Sequence, residues 1–517
     1  EESMAKYIPY NCNQSMLLPI KLSQHLYEGS LQEAIHIIVE EKLDLAAFDN
    51  QYKNDDTGRP AIHPKALLKI ILLAYSHGIV GSRRIEQACR NNIIFLALAG
   101  GITPDHSTIA AFIAAMNNQI MDLFLQVLLI CEQMDLLGGT HLALDGCKLP
   151  SNASKNWSAT HKELKKRRGK LREKLKTLLN EHAKFDTQNL DPDLVRKAKL
   201  ERQMKRIERQ AKRIETFLEK EEPKTGKSKK EIQSNVTDND SAKMPTSHGV
   251  IQGYNAQAMV DDKHQIIVHA EAMSDGQDSA NLAPMAKASA HNLSRIGKGD
   301  QPLKNIKLTA DCSYHNNKNI EFCEKQNIDA YIPDINFRKR DQRLNGQHRF
   351  KNGLNKPLKE GQRKTPKFQT DDFKYDPNSD TFTCPNGCTL SLETKRQKVR
   401  SDIFRTYRIK DDSCCSCPLR DKCLTGAKTR QRYVCVPLPK EEQKLNPSQR
   451  MQRKVDSAFG KLIYGLRMGC VEPVFGNIRH NKRLDRFTYR GKNKVDVQWK
   501  LFSILHNIEK IAHYGMA

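Results

Sequence analysis

Two aspartates close short apolar runs that read as β-strands. His141-Leu142-Ala143-Leu144 leads into Asp145, and Ile306-Lys307-Leu308-Thr309-Ala310 leads into Asp311. A third acid, Glu472, stands in Val471-Glu472-Pro473-Val474-Phe475-Gly476-Asn477-Ile478-Arg479-His480. Acids on two neighbouring strand ends, joined by one from a nearby helix, would make a compact oxygen cage, and hard cations require oxygen ligands. Two Mg²⁺ (or Mn²⁺) ions about 4 Å apart in such a cage stabilise the attacking and leaving oxygens of a phosphodiester displacement. An aspartate at a strand end is more often a turn former, so the surrounding residues carry the argument. Asp145 is followed by Gly146-Cys147-Lys148 and Asn152-Ala153-Ser154-Lys155, and Asp311 by Cys312-Ser313-Tyr314 and Asn319.

The elements that must position these acids can be traced along the chain. Residues 4–135 read as all-helical. His63-Pro64 opens the apolar run Ala66 to Leu73, with proline suited to a first helical turn. Ser82-Arg83-Arg84-Ile85-Glu86 has the form of a capped start, Gly100-Gly101 stops that helix, and Pro104-Asp105-His106-Ser107-Thr108 begins another. Such a pair suits either a helix-turn-helix DNA reader or a bundle used for packing and dimer contacts. From residue 140 the pattern becomes strand-like: after the Asp145 strand come Tyr254 to Val260 and Gln265 to Ala270, a helix near 279–293, the Asp311 strand, a short helix, and Ala330-Tyr331-Ile332-Pro333. Three strands, helix, strand, helix, strand is the core order of a ribonuclease-H-like (retroviral-integrase-type) α/β fold. The core is expected over 136–160 and 223–334, with its C-terminal helices over 456–517. Pro473 disfavours helical geometry in the residue before it, which places Glu472 at a helix start or kink.

Two insertions interrupt this core. Residues 161–222 carry Leu200, Met204, Ile207, Ala211, Ile214 and Leu218, a heptad seam, and read as an antiparallel helical hairpin broken at Asn189-Leu190-Asp191-Pro192-Asp193. Residues 335–455 are polar, basic and cysteine-bearing, and Phe337 to Thr370 has the composition of a segment unstructured without a partner.

Charge bears on the partner. The 517 residues carry a formal net charge of +25. Residues 161–230 hold 24 Lys and Arg against 12 Asp and Glu, and residues 336–370 hold 11 against 2. Both insertions therefore read as surfaces for a polyanion, nucleic acid first; a solvated charged face is the blander account. No apolar run approaches the ~20 residues that span a bilayer, and no secretory signal is visible. Met4 reads as the natural start, and the expected setting is cytoplasmic and nucleoid-associated, where thiols stay reduced. The 14 cysteines then divide into core residues, such as Cys89, Cys131 and Cys470, and metal ligands. Cys414, Cys417 and Cys423 form C-x₂-C-x₅-C, with Cys384 upstream, the donor composition of a closed structural Zn²⁺ site. Cys388 or Cys415 could replace one of the four.

Taken together, these motifs resemble a bacterial insertion-sequence transposase of the DDE superfamily, in the group with a helical N-terminal domain and a cysteine-bearing insertion. The likeness includes the His63-Pro64 helix, the Pro104 to Thr108 turn, Gly253-Tyr254-Asn255-Ala256-Gln257, Arg490-Gly491 and His506-Asn507. The resemblance implies that Asp145, Asp311 and Glu472 are catalytic ligands for two Mg²⁺ ions. It favours Cys384, Cys414, Cys417 and Cys423 as zinc ligands, and a homodimer on paired DNA ends. Double-stranded DNA is the implied partner, both the element's terminal inverted repeats and the target, with no membrane and no nucleotide cofactor. Arg479, seven residues after Glu472, would share a helix face with it and could grip a phosphate. Arg467, His480, Arg483 and Arg490 are candidates for the same role, and Lys148 and Lys155 are the nearest cations after Asp145. The rivals are a nuclease on this fold that cuts without joining and a DNA-binding relic that has lost catalysis.

Overall fold

The computed structural model describes residues 21–51, 60–187, 194–226, 230–246, 249–341, 367–399, 402–424, 429–437 and 445–515. The expected hairpin break at 189–193, the start at Met4 and most of the basic run 336–370 lie outside the described residues. The chain forms two compact units, one of Glu1–Phe337 with Pro447–Ala517 and one of Arg338–Asn446.

The first unit opens with six helices: α1 (Leu31–Ile37), α2 (Pro64–Ser76), α3 (Ser82–Asn91), α4 (Ile93–Leu98), α5 (His106–Ala115) and α6 (Ile120–Gln133). His63 caps α2, its ring nitrogen accepting from the Lys65 amide at 3.1 Å, with Pro64 in the first turn. Two sequence expectations are corrected here. Ser82 is the first helical residue of α3 and not its cap, which is Gly81. The helix expected to run to Gly100 is cut at Asn92, whose side-chain oxygen accepts from the Ile94 amide at 2.9 Å and starts α4. Asp105 does cap α5, through the Thr108 amide at 2.8 Å, and Glu86 reaches across from α3 to the His106 amide at 3.1 Å.

The chain then runs through β1 (His141–Pro150), β2 (Ser158–Ala159), α7 (His161–Thr187), α8 (Leu194–Lys220), β3 (Ser234–Asn235), β4 (Ala242–Thr246), β5 (Gly249–Asp261), β6 (Ile267–Met273), α9 (Leu282–Arg295), β7 (Lys307–Ala310), α10 (Asn317–Lys325), β8 (Asp329–Tyr331) and α11 (Phe337–Arg340). In the six-stranded sheet β6 pairs with β5, β5 with β1, β1 with β7, and β7 with β8; β4 also pairs with β5. The β6-β5-β1 half is antiparallel and the β1-β7-β8 half is parallel, and β1, β5, β6, α9, β7, α10 and β8 follow along the chain in the order expected from the sequence. The hairpin α7–α8 leaves the sheet after β1. Its root is a small cluster of Leu164, Ile214, Phe217 and Val236, with Trp157 packed against it, and its seam buries Ile207, Ala211 and Ile214.

The second unit, Arg338–Asn446, contains an antiparallel sheet of β9 (Lys374–Asp376), β10 (Thr381–Thr383), β11 (Thr389–Val399), β12 (Asp402–Arg408) and β13 (Tyr433–Pro437), with the short helix α12 (Arg420–Cys423). Its core is Phe373, Phe382, Leu390, Tyr407, Ile409, Cys414, Leu424 and Val434.

The chain returns to the first unit as α13 (Pro447–Asp456), α14 (Ala458–Gly476) and α15 (Lys492–Lys510). Helix α15 is buried from Val497 to Ile508 and packs against β6 and against α1, α2 and α6. The N-terminal helices and the sheet thus share one core, and Tyr75 stacks on Phe502 at 4.7 Å. Asn507 pairs with both backbone groups of Ile267, at 2.9 Å each, extending the hydrogen bonding of β6. Asp238 and Asp240 receive the Gly491 and Lys492 amides at the start of α15, at 3.1 and 2.8 Å. No single described helix is long and apolar enough to cross a membrane.

His506 is fully enclosed in this packing. Its ring bridges the Gln265 carbonyl at 2.9 Å and the Asn477 amide at 3.2 Å. Burial first, then the positive charge of Lys482, lowers its pKa to about 3. The folded state therefore prefers the neutral ring, and stability present above pH 6.5 is lost as pH falls from 6.5 toward 3. Acidification from pH 6.5 to 4 should cost up to about 1.4 kcal/mol per unit through this ring. Urea midpoints across that range should fall less steeply for His506→Gln than for wild type; equal slopes would remove His506 from the account.

Candidate active site

The first two acids are neighbours. The parallel pairing of β1 with β7 runs to Leu144 opposite Ala310, so Asp145 and Asp311 are the next residues on adjoining strands. Asp145 does not end its strand, as the sequence suggested. β5 continues to pair with β1 to Pro150 opposite Gly253, while β7 stops at Ala310. The acid sits where one partner is lost and the other kept. Each carboxylate is steadied by backbone: Asp145 Oδ1 accepts from the Gly146 amide at 2.9 Å, and Asp311 Oδ1 from the Cys312 amide at 2.6 Å.

The remaining oxygen of Asp145 meets a cation. Arg467 Nη2 of α14 donates to Asp145 Oδ2 at 3.1 Å, and the arginine side chain is only 8% exposed. It is therefore a counter-ion of Asp145 in this structure. Burial opposes its charge, but Asp145, then Tyr464, Asp311 and Glu472, raise its pKa above the ordinary arginine value. All three candidate acids thus act on one guanidinium. Burial pushes the Asp145 carboxyl up to about 6; Arg467 and the Gly146 amide oppose the shift, and Asp311 and Asp278 add to it.

Glu472 is exposed in the last third of α14, with Pro473 inside the helix. It is not at a helix start, which corrects that part of the expectation; the proline stands within the helix. A proline cannot donate to the carbonyl four residues back, here that of Gly469. The Gln265 side chain supplies that bond instead, at 3.0 Å, and the helix continues. Among the described residues no three His, Cys, Asp or Glu side chains stand in a metal-ligating arrangement. The donor chemistry of Asp145 and Asp311 fits hard divalent cations, and Glu472 is not drawn in to close the cage.

Four polar residues behind Asp145 were not foreseen as part of the site. Asp278 Oδ1 accepts from Asn255 Nδ2 at 2.6 Å and from Gln257 Nε2 at 3.0 Å, and the Tyr314 hydroxyl donates to Gln257 Oε1. Gly146 makes room for this network. A Cβ there would lie 1.9 Å from Gln257 Nε2 and 2.7 Å from Asn255 Oδ1. Gly146→Ala should therefore break the Gln257–Asp278 contact and lower stability by about 1–3 kcal/mol, read as a fall in urea midpoint. An unchanged midpoint would mean that the amides yield freely.

Two families match the chain. The family described as Transposase DDE domain matches residues 383–512, and the one described as Transposase domain (DUF772) matches residues 21–115. Both matches are to transposase families, and together they support an insertion-sequence DDE transposase. No curated protein matches it. The DDE match covers Glu472, Arg467 and Arg479, and the family implies a ribonuclease-H-like core and DNA substrates.

In this transposase the other cationic candidates divide. Arg479 is exposed in the turn Asn477–Asn481 that follows α14. Its charge and hydrogen bond oppose the upward shift that burial imposes on the Cys147 thiol, so it lies beside the strand of Asp145. Lys148 is half-buried on β1 opposite Asn255, and Lys155 and His480 are exposed. Arg483 is exposed, with the stem of its side chain against Gly78, where a Cβ would meet it at 3.0 Å. Arg490 donates through Nε to the Asn152 carbonyl at 2.7 Å and so ties the loop after β1 to the segment before α15.

The transposase's cysteine unit gathers five thiols. Cys384, Cys388, Cys414, Cys417 and Cys423 line one small cavity. The Cys388 amide donates to Cys384 Sγ at 3.3 Å, the kind of bond that steadies a thiolate. Burial, then the neighbouring thiols, raises the Cys414 pKa. Cys415 is exposed and sits outside this cavity, whereas Cys388 lines it. The soft sulfur set fits zinc, although the thiols are not drawn into ligating positions.

Proposed function

We propose that this transposase binds the terminal inverted repeats of its element, cleaves the DNA at those ends and joins them to target DNA, as a dimer on paired ends. The observation that carries the reading is the adjacency of Asp145 and Asp311 at the point where β7 leaves β1, with Arg467 in the field of both and of Glu472. Asp145, Asp311 and Glu472 would hold two Mg²⁺ or Mn²⁺ ions, which when bound neutralise charge on the attacking and leaving oxygens. The protein holds the acids on a rigid sheet, keeps Asp145 oriented through Gly146 and Arg467, and offers Arg479 beside β1 to the phosphate backbone. Water, then a DNA 3′-hydroxyl, is the nucleophile, so no covalent protein–DNA bond forms. Cys384, Cys414, Cys417 and Cys423 would hold a structural Zn²⁺. The outward face of α3, with Arg83, Arg84 and Arg90 exposed, supports a role in reading the repeat.

The test is a duplex ending in the pre-cleaved terminal repeat found beside the gene, incubated with target DNA and Mg²⁺. A joined product is expected. Cleavage of uncut ends without joining would make the protein a nuclease on the same fold, and binding without either reaction would make it a relic.

A further inference from the structure

Helix α8 carries Arg202, Lys205, Arg206, Arg209 and Arg213 on one face, all exposed. With Trp157 and Gln210 they line an open depression, and no carboxylate lines it. Two of the helix's acids are engaged elsewhere: Glu215 pairs with Arg172 and Arg168 of α7, and Glu201 lies 3.7 Å from His182. A face meant only for solvent interleaves charges so that residues four apart attract. Here Arg202 and Arg206, Lys205 and Arg209, and Arg209 and Arg213 are like charges four apart, an arrangement that weakens an isolated helix. Something other than helix stability accounts for the stripe. Its foot is also organised. The Arg167 and Arg213 guanidiniums lie 4.9 and 5.6 Å from the centre of the Trp157 ring, and Arg167 donates to the Asn156 carbonyl at 2.7 Å, which reduces the freedom those side chains lose on meeting a ligand.

We propose that this stripe, with Trp157 at its foot, is a backbone-binding surface for duplex DNA, distinct from the carboxylate site. Arg202 to Arg213 spans roughly 16 Å along the helix, the length of about five base-pair steps. A concave row of guanidiniums suits a convex phosphate backbone and carries no base-reading pattern, so the contact is independent of sequence. The proposal rests on the transposase reading above and adds the surface that holds the substrate.

The probe is a fluorescein-labelled 30-base-pair duplex of arbitrary sequence, titrated with the full chain at several salt concentrations. Arg206→Gln with Arg209→Gln should weaken binding about 10- to 100-fold at 0.1 M salt and reduce the slope of log K against log salt by roughly 2. Both positions are exposed, and removing like charges should leave the melting temperature unchanged or higher. The chain has two tryptophans, and Trp499 is fully buried, so duplex should quench emission in wild type but not in Trp157→Phe. An unchanged salt slope, or equal quenching in Trp157→Phe, overturns the proposal while leaving the transposase reading intact. Wild type failing to bind duplex at all overturns that reading as well. If the double variant loses affinity for phosphatidylserine vesicles but not for duplex, the stripe is a membrane surface and the proposal falls.

Discussion

Asp311→Asn is expected to lower DNA cleavage on the order of 10³-fold, about 4 kcal/mol of barrier, while duplex binding and melting temperature stay near wild type. The backbone contact that seats Asp311 uses Oδ1 and the Cys312 amide at 2.6 Å, and an asparagine carbonyl oxygen can accept the same bond. The change removes a charge with little change of shape. Asp145→Asn should match it in activity but differ in stability. That variant leaves the Arg467 guanidinium in its buried position without its anion, and breaking one side of a buried pair is costly. A melting temperature lowered in Asp145→Asn but not in Asp311→Asn, with cleavage lost in both, is the expected pattern. Wild-type cleavage rates in Asp311→Asn would remove that residue from the site.

Stripping metal from the protein should unfold the cysteine unit and spare the rest. Among the described residues the core of Arg338–Asn446 consists of eight buried side chains, too few to stabilise a fold of this size without a staple. Structural zinc contributes on the order of 10 kcal/mol in small sites, more than such a core would supply. Chelation with phenanthroline should release about one equivalent of Zn²⁺. It should also expose the cavity-lining thiols to a thiol reagent and open the unit to protease, and Cys417→Ser should behave the same way without chelator. The first unit, whose sheet and helices share the core around α15, should keep its melting transition. Thiols that react equally before and after chelation would rule out the zinc site.

The parts of this architecture that were legible in the sequence are those set by local pattern. The apolar runs before Asp145 and Asp311 foretold their strands, and the 3–4 spacing of Ile207, Ala211 and Ile214 foretold the hairpin. What escaped depended on contacts distant along the chain. Pro473 reads locally as a break, yet Gln265 takes up the Gly469 carbonyl and the helix runs on. The pairing of Arg467 with Asp145 has no signal in the sequence, because α14 and β1 are far apart along the chain. Asp278 had no local signal, because its role follows from Asn255 and Gln257 on another strand. The five-stranded sheet of the cysteine unit was hidden because its strands are polar, with burial at single positions such as Phe382 and Leu390.

The uninterrupted course of β1 past Asp145 makes it a ruler. The backbone that carries the acid runs on in register with β5 to Pro150 and reaches Trp157, where the basic hairpin is rooted. On the proposed function, the place where the duplex is held and the place where it is cut are joined by five strand residues, roughly 17 Å, and by the loop and short helical turn that lead to Trp157. Inserting two residues into the strand part would keep the pleat in phase and move one place relative to the other. Footprints and cleavage positions mapped on the same end should then separate by a base pair or two, whereas a fixed offset would show that the hairpin does not measure.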